Sequence, residues 1–199
     1  MEKKKTFLVI GHARHGKDTV SEILCKNLNL TFVSSSLILA EEVIYPKLKD
    51  LYGYKSVEEC FNDRSNHRKE WFTLLKEYNT PDKARLGRLI LSKHDLYCGL
   101  RNIEEFYALK EINAFNYIIW VDASERKPLE PITSMTITKE HADIIIDNNK
   151  TLLDLKCNIY QFMYAITKSK KIYLKLLSLI WLRKIRNLIT PIILNHIKR

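Results

Sequence analysis

Cysteine, glycine and proline are all scarce in this chain. Its four cysteines, Cys25, Cys60, Cys98 and Cys157, lie far apart with no CxxC pair. That spacing excludes a zinc ribbon and offers no disulfide framework; it is the cysteine usage of a reduced cytoplasmic protein. Five glycines and five prolines in 199 residues leave no linker-like or collagen-like tract. No stretch of about 18 residues is free of charge, which argues against a membrane-spanning helix. The apolar run Phe7–Ile10 is too short for the core of a secretory signal. With 46% hydrophobic and 28% charged residues, the chain is expected to fold around one ordinary core.

Acidic residues are missing from the C-terminal part of the chain. From residue 165 to 199 there are nine of the 33 basic residues and none of the 23 acidic ones, which leaves 24 basic against 23 acidic in the first 164. The formal net charge of +10 therefore belongs to the tail. A near-neutral body of this kind is not expected to bind duplex nucleic acid, and any affinity for polyanions is concentrated after residue 164.

The body alternates short apolar runs with amphipathic stretches. Continuous apolar runs at 6–10, 31–33, 95–98, 116–121 and 143–146 predict five strands, the first buried on both faces. Helices are predicted between them. Ser35 or Ser36 is expected to cap one that runs toward Leu51 with a kink at Pro46, and Ser56 with Glu59 has the spacing of a capping box. A polar helix is expected over 64–78, and Asn102 and Thr151 are expected caps for two later ones. Strands separated by helices imply an α/β, doubly wound, five-stranded parallel sheet that binds ligands at the carboxyl ends of its strands. The expected division is a body over 1–164 and a basic helical tail over 165–199.

The most informative stretch is Gly11-His-Ala-Arg-His-Gly16-Lys17-Asp18-Thr19, which fits GxxxxGK directly after a buried strand and directly before a helix. Its glycines let backbone N–H groups of Ala13, Arg14, His15 and Gly16 turn toward a phosphate. Lys17 is expected to reach the β- and γ-oxygens, with the dipole of the helix N-terminus behind it. Asp18 stands where the common motif has the Ser or Thr that holds Mg²⁺. Asp18 is expected to hold the ion directly or through water, with Thr19 at the α-phosphate. The backbone alone of His12 and His15 is expected to matter.

The GKDT loop resembles that of the viral deoxynucleoside monophosphate kinases, a branch of the P-loop nucleoside monophosphate kinases. Later stretches are similar to that group's motifs in the same order: Asp95 to Arg101 with Glu104-Glu105-Phe106, Trp120 to Arg126, and Ala142 to Asn149. The likeness spans roughly residues 6 to 163. It implies a fold of the P-loop kinase type, and an ATP- and Mg²⁺-dependent kinase that phosphorylates a (deoxy)nucleoside monophosphate to the diphosphate. Such an enzyme is expected in the cytoplasm (of the host, if viral), as a monomer or homodimer. Phosphoryl transfer between two nucleotides needs cations around the moving group, and arginine's planar fork suits them. Arg101 is expected at the acceptor phosphate, and Arg126 at the phosphates or adenine of ATP. Arg68, helped by Arg64, is expected at the acceptor's phosphate or base. Ser35 has two open readings, acceptor nucleoside contact or helix cap. A kinase of another small acceptor such as dephospho-coenzyme A, and a non-enzymatic nucleotide-dependent switch, remain as alternatives.

The tail has no counterpart in that family. On a helix, Lys168, Lys171, Lys175 and Arg186 fall on one side, and Tyr173, Leu177, Ile180, Trp181 and Leu188 on the other. Pro191 is expected to end or kink it. Such a segment can lie on an anionic bilayer, pair with a second copy, or turn its apolar side onto the body.

Overall fold

The computed structural model describes residues 5–197, with side chains through residue 187. Five strands, β1 (Phe7–Ile10), β2 (Phe32–Ser34), β3 (Leu96–Cys98), β4 (Tyr117–Asp122) and β5 (Ile144–Asp147), form one parallel sheet in the order β2-β3-β1-β4-β5. The chain winds first to one side of β1 and then to the other. The carboxyl end of β1 thus lies where the winding reverses, the position at which open α/β sheets bind ligands. This is the expected fold class.

Nine helices are described: α1 (Lys17–Leu28), α2 (Ser35–Leu39), α3 (Tyr45–Tyr52), α4 (Val57–Asn62), α5 (Arg68–Asn79), α6 (Arg85–Lys93), α7 (Ile103–Glu111), α8 (Leu152–Thr167) and α9 (Lys170–Ile197). Alternate residues of β1 serve opposite layers, because successive side chains on a strand point to opposite faces. Phe7 and Val9 pack with Val20 and Leu24 of α1 and with Leu155 and Ile159 of α8. Leu8 and Ile10 pack with Ile90 of α6 and Phe106 and Leu109 of α7. All four strand residues are fully buried, and truncating any of the larger ones to Ala would cost about 2–5 kcal/mol. The insert between β2 and β3 has an apolar cluster of its own, with Val43, Ile44, Leu48, Cys60 and Trp71.

Capping chemistry fixes several helix starts. The Asn102 side chain accepts the N–H groups of Glu104 and Glu105 at 2.8 and 3.1 Å, and Thr151 and Asp154 cap α8 reciprocally. Two local expectations are corrected. The cap of α2 falls on Ser34, whose hydroxyl meets that of Ser36 at 2.8 Å instead of a helix N–H. The kink expected at Pro46 falls where the wide π-turn Ala40–Ile44 meets α3, and prolines and π-turns are both recurrent causes of bent helices. The helix expected over 64–78 is interrupted. Asp63 accepts the Asn66 side-chain amide and pairs with the His67 ring at 2.9 Å, so a single tight turn Asp63–Ser65 comes first and α5 begins only at Arg68.

α8 and α9 form an antiparallel hairpin. Lys168 takes a left-handed conformation (φ 53°) and its N–H closes on the Tyr164 carbonyl at 2.8 Å. Ile172 and Leu176 are buried, and Ile172 joins the α1–α8 core. Farther along, Arg186 pairs with Asp154 at 3.1 Å and with Thr151, and Arg183 approaches the same carboxylate at 3.9 Å. Although burial raises the Asp154 pKa, the Arg186 and Thr151 hydrogen bonds hold it down at about 2. α9 does not end at Pro191 but continues to Ile197; Leu188, Lys198 and Arg199 lie outside the residues whose side chains are described. Among the described residues no helix is long and apolar enough to cross a membrane.

Candidate functional site

The loop from Gly11 to Gly16 joins β1 to α1 under tight backbone constraints. A Cβ on Gly11 would lie 2.5 Å from the Val121 carbonyl oxygen, and one on Gly16 would lie 2.5 Å from the Asn148 side-chain nitrogen. Gly16 (φ 95°) is also the cap residue of α1, and no side chain caps that helix end. Its first N–H groups therefore remain available to an anion. Arg14, at φ 63°, occupies a left-handed position that non-glycine residues rarely take.

Arg14, Gly16, Thr19, Arg126, Asn148 and Lys150 line a cavity of about 300 Å³. The loop, the residue just past β4 and the turn after β5 thus meet around one space with three basic side chains in its wall. A larger groove of about 520 Å³ runs along β5 and α8, but it contains no cation and lies away from the loop.

Two buried side chains brace the loop from outside. Asn148 donates to the His15 carbonyl at 2.8 Å, and its own carbonyl accepts from the Arg126 guanidinium. The His15 ring is fully buried, and its Nδ1 accepts the Ala123 N–H at 3.1 Å. The His12 Nδ1 accepts the Glu130 N–H at 3.1 Å. Burial and the neighbouring His15 ring lower the His12 pKa, which suits an imidazole acting as acceptor. The expectation that only the backbone of these two histidines matters is corrected: both rings tie the loop to the segment after β4.

An acidic residue occupies the mouth of the loop. Glu130 accepts the Ala13 N–H at 2.6 Å and pairs through its other oxygen with Arg101. Burial raises the Glu130 pKa, but the Arg101 hydrogen bond and charge, the Ala13 N–H and Lys17 outweigh it, so the group stays below the ordinary carboxylate range. A carboxylate thus holds a loop amide of the kind that binds phosphate. Lys17 donates to the His12 carbonyl at 2.8 Å, and burial lowers its pKa.

Asp18 lies beside the Cys98 thiol, 3.6 Å away, and burial pushes that thiol up to about 12, so Cys98 is a neutral neighbour. Among the described residues no three His, Cys, Asp or Glu side chains converge on a metal-sized site. Asp18 offers a single carboxylate of the kind Mg²⁺ uses when phosphate oxygens and water complete its shell. The other expected residues are more dispersed. The Ser35 hydroxyl reaches the Gly99 carbonyl at 3.4 Å, two residues before Arg101. Arg64 lies over the Phe61 ring at 3.9 Å and donates to that residue's carbonyl at 2.7 Å. Arg68 opens α5 and is exposed. Among the described residues no hydrogen bond or ion pair links Arg64 or Arg68 to the loop.

No family model matches the chain, and no curated protein does. Among solved structures it is similar to shikimate kinase from Aquifex aeolicus vf5, with 16% identity over 81% of this chain and 95% of that one, at a TM-score of 0.42. It is also similar to TT1252 from Thermus thermophilus (17% identity, 83% of this chain and 99% of that one, TM-score 0.46). A gluconokinase from Sinorhizobium meliloti 1021 matches at 12% identity, over 82% and 98% of the two chains, with a TM-score of 0.41. Likeness at this level assigns no chemistry, which has to come from the chain's own residues.

Glu130 and Asn148 were not singled out by the sequence. Each meets the loop from more than 100 positions away, and only the likeness of the 142–149 stretch to a kinase motif drew attention near Asn148.

Proposed function

We propose that this chain is an ATP-dependent kinase that transfers the γ-phosphate to a (deoxy)nucleoside monophosphate, with Mg²⁺ as cofactor. One observation carries the reading above the others: a GxxxxGK loop on an uncapped helix end that Lys17 opens, with Arg14, Gly16 and Arg126 lining one cavity beside it. That set suits a polyphosphate. Phosphoryl transfer asks a protein mainly for positioning and for positive charge near the moving group.

In this reading Lys17 leaves the His12 carbonyl to neutralise the transferred phosphoryl, and Gly11, Ala13, Arg14, His15 and Gly16 present the loop backbone to ATP. Arg126 closes the cavity over its phosphates. Asp18 would hold Mg²⁺ directly or through water, with Thr19 at the α-phosphate; the ion supplies charge compensation to the phosphates when bound. Arg101 faces the acceptor, released from Glu130 when a second anion enters. Ser35, Arg64 and Arg68 belong to the acceptor side, within the insert that has its own apolar cluster. The acceptor's phosphate is already ionised at neutral pH, so the reaction needs no general base. The resemblance in the 95–106, 120–126 and 142–149 stretches supports a nucleotide acceptor over another small molecule.

The test is coupled-assay turnover with every common ribo- and deoxynucleoside monophosphate, and with dephospho-coenzyme A. The reading expects ATP consumption stimulated by at least one monophosphate. Turnover only with dephospho-coenzyme A would move the acceptor to another class, and no stimulation by any acceptor would favour a binding switch.

A further inference from the structure

The described part of α9 turns Arg183, Arg186, Ile172 and Leu176 toward the body and leaves another set of apolar residues outward. Arg183 and Arg186 meet Asp154, and Lys175 donates to the Asn27 side chain at 2.9 Å. The opposite side carries Leu174, Leu177 and Trp181, which are 57%, 43% and 62% exposed. Their spacing of three and four aligns them along one stripe. Tyr173 and Leu182 flank the stripe and are also exposed, as are Lys170, Lys171 and Lys184. The body therefore does not use this apolar face, since the core contact of α9 is made by Ile172 and Leu176.

We infer that this face of α9 is a docking surface for an anionic lipid bilayer. An apolar stripe with a tryptophan, edged by lysines, matches a helix lying in the plane of a membrane surface, its rings at headgroup level and its cations toward lipid phosphates. Charge singles out the occupant. Asp154 is the last acidic residue of the chain, and it is already engaged by Arg183 and Arg186. A second copy docked on the stripe would set Lys170, Lys171 and Lys184 against their own counterparts with no carboxylate to offset them. This inference is independent of the nucleotide reading.

Tryptophan fluorescence of the full chain is a suitable probe, because Trp71 and Trp120 are 7% and 3% exposed against 62% for Trp181. Titration with phosphatidylcholine vesicles containing phosphatidylserine should shift the emission to the blue, and added salt should weaken the effect. In co-sedimentation, Leu177→Glu should abolish vesicle binding. The triple change of Lys170, Lys171 and Lys184 to Gln should weaken it about tenfold or more. These positions are exposed, and circular dichroism should show folded variants. Failure of the wild-type chain to bind phosphatidylserine vesicles would overturn the inference, as would equal binding to pure phosphatidylcholine. A dimer in light scattering that Leu177→Glu dissociates would overturn it in favour of self-association.

Discussion

At the residue scale, the decisive contact is the Glu130 carboxylate on the Ala13 N–H. A nucleotide phosphate and this carboxylate cannot share one amide, so in the kinase reading ATP must displace Glu130. Glu130→Gln keeps the size of the side chain and removes its charge. It should tighten ATP binding by up to about one decade, the worth of a charge-assisted hydrogen bond no longer in competition. Calorimetric titration measures this directly, and an unchanged or weaker affinity would show that the carboxylate does not compete. Arg101, the partner of Glu130, should have the opposite signature. Arg101→Ala is expected to raise the acceptor KM by about one to two decades while moving the KM for ATP much less. Equal effects on both substrates would place Arg101 on the donor side.

At the scale of elements, β3 and α7 are joined by a buried acid. Tyr97 donates to Glu105 at 2.9 Å, and both residues lie in the interior. Burial raises the Glu105 pKa to about 7, against the smaller lowering effect of the Tyr97 hydrogen bond. The folded protein thus binds this proton more tightly than the unfolded chain. The associated stability is fully present below the ordinary carboxylate pKa near 4.5 and is lost as pH rises through about 7, a change on the order of 3 kcal/mol. Glu105→Gln should flatten the decline in melting temperature between those pH values. A variant with the same slope as wild type would locate the pH dependence elsewhere.

The elements also show what a sequence can and cannot tell. β1, the phosphate loop and the start of α1 were legible because an apolar run, two glycines and a helix start follow one another within a dozen residues. Asn102 and Thr151 were legible as caps for the same local reason. The break before α5 was hidden, since it depends on Asp63 gathering Asn66 and His67, and polar residues on a periodic stretch look like a solvated helix face. The π-turn before Pro46 was hidden as well, because it has no residue signature. The braces of the site come from long-range approach: Asn148 and Glu130 reach the loop only after the sheet has formed. For α9 the wheel put Lys171 and Trp181 on opposite sides, yet both are exposed, while Ile172 and Leu176 meet the core. Contacts with Asp154 and with the α1–α8 core set its orientation, and a wheel does not contain them.

For the whole molecule, the sheet order puts the Gly11–Gly16 loop at the reversal of winding, between the cavity that Arg126 lines and an insert that carries Arg64 and Arg68. In the kinase reading this arrangement moves a phosphoryl group between nucleotides. The most direct measurement is transfer of γ-labelled phosphate from ATP to common nucleoside monophosphates by the wild-type chain and by folded Lys17→Ala. The account predicts labelled diphosphate from at least one monophosphate with the wild type, and a loss of at least about 100-fold in the variant, because Lys17 neutralises charge that develops during transfer. Label released only as inorganic phosphate, or transfer that Lys17→Ala leaves unchanged, would contradict it.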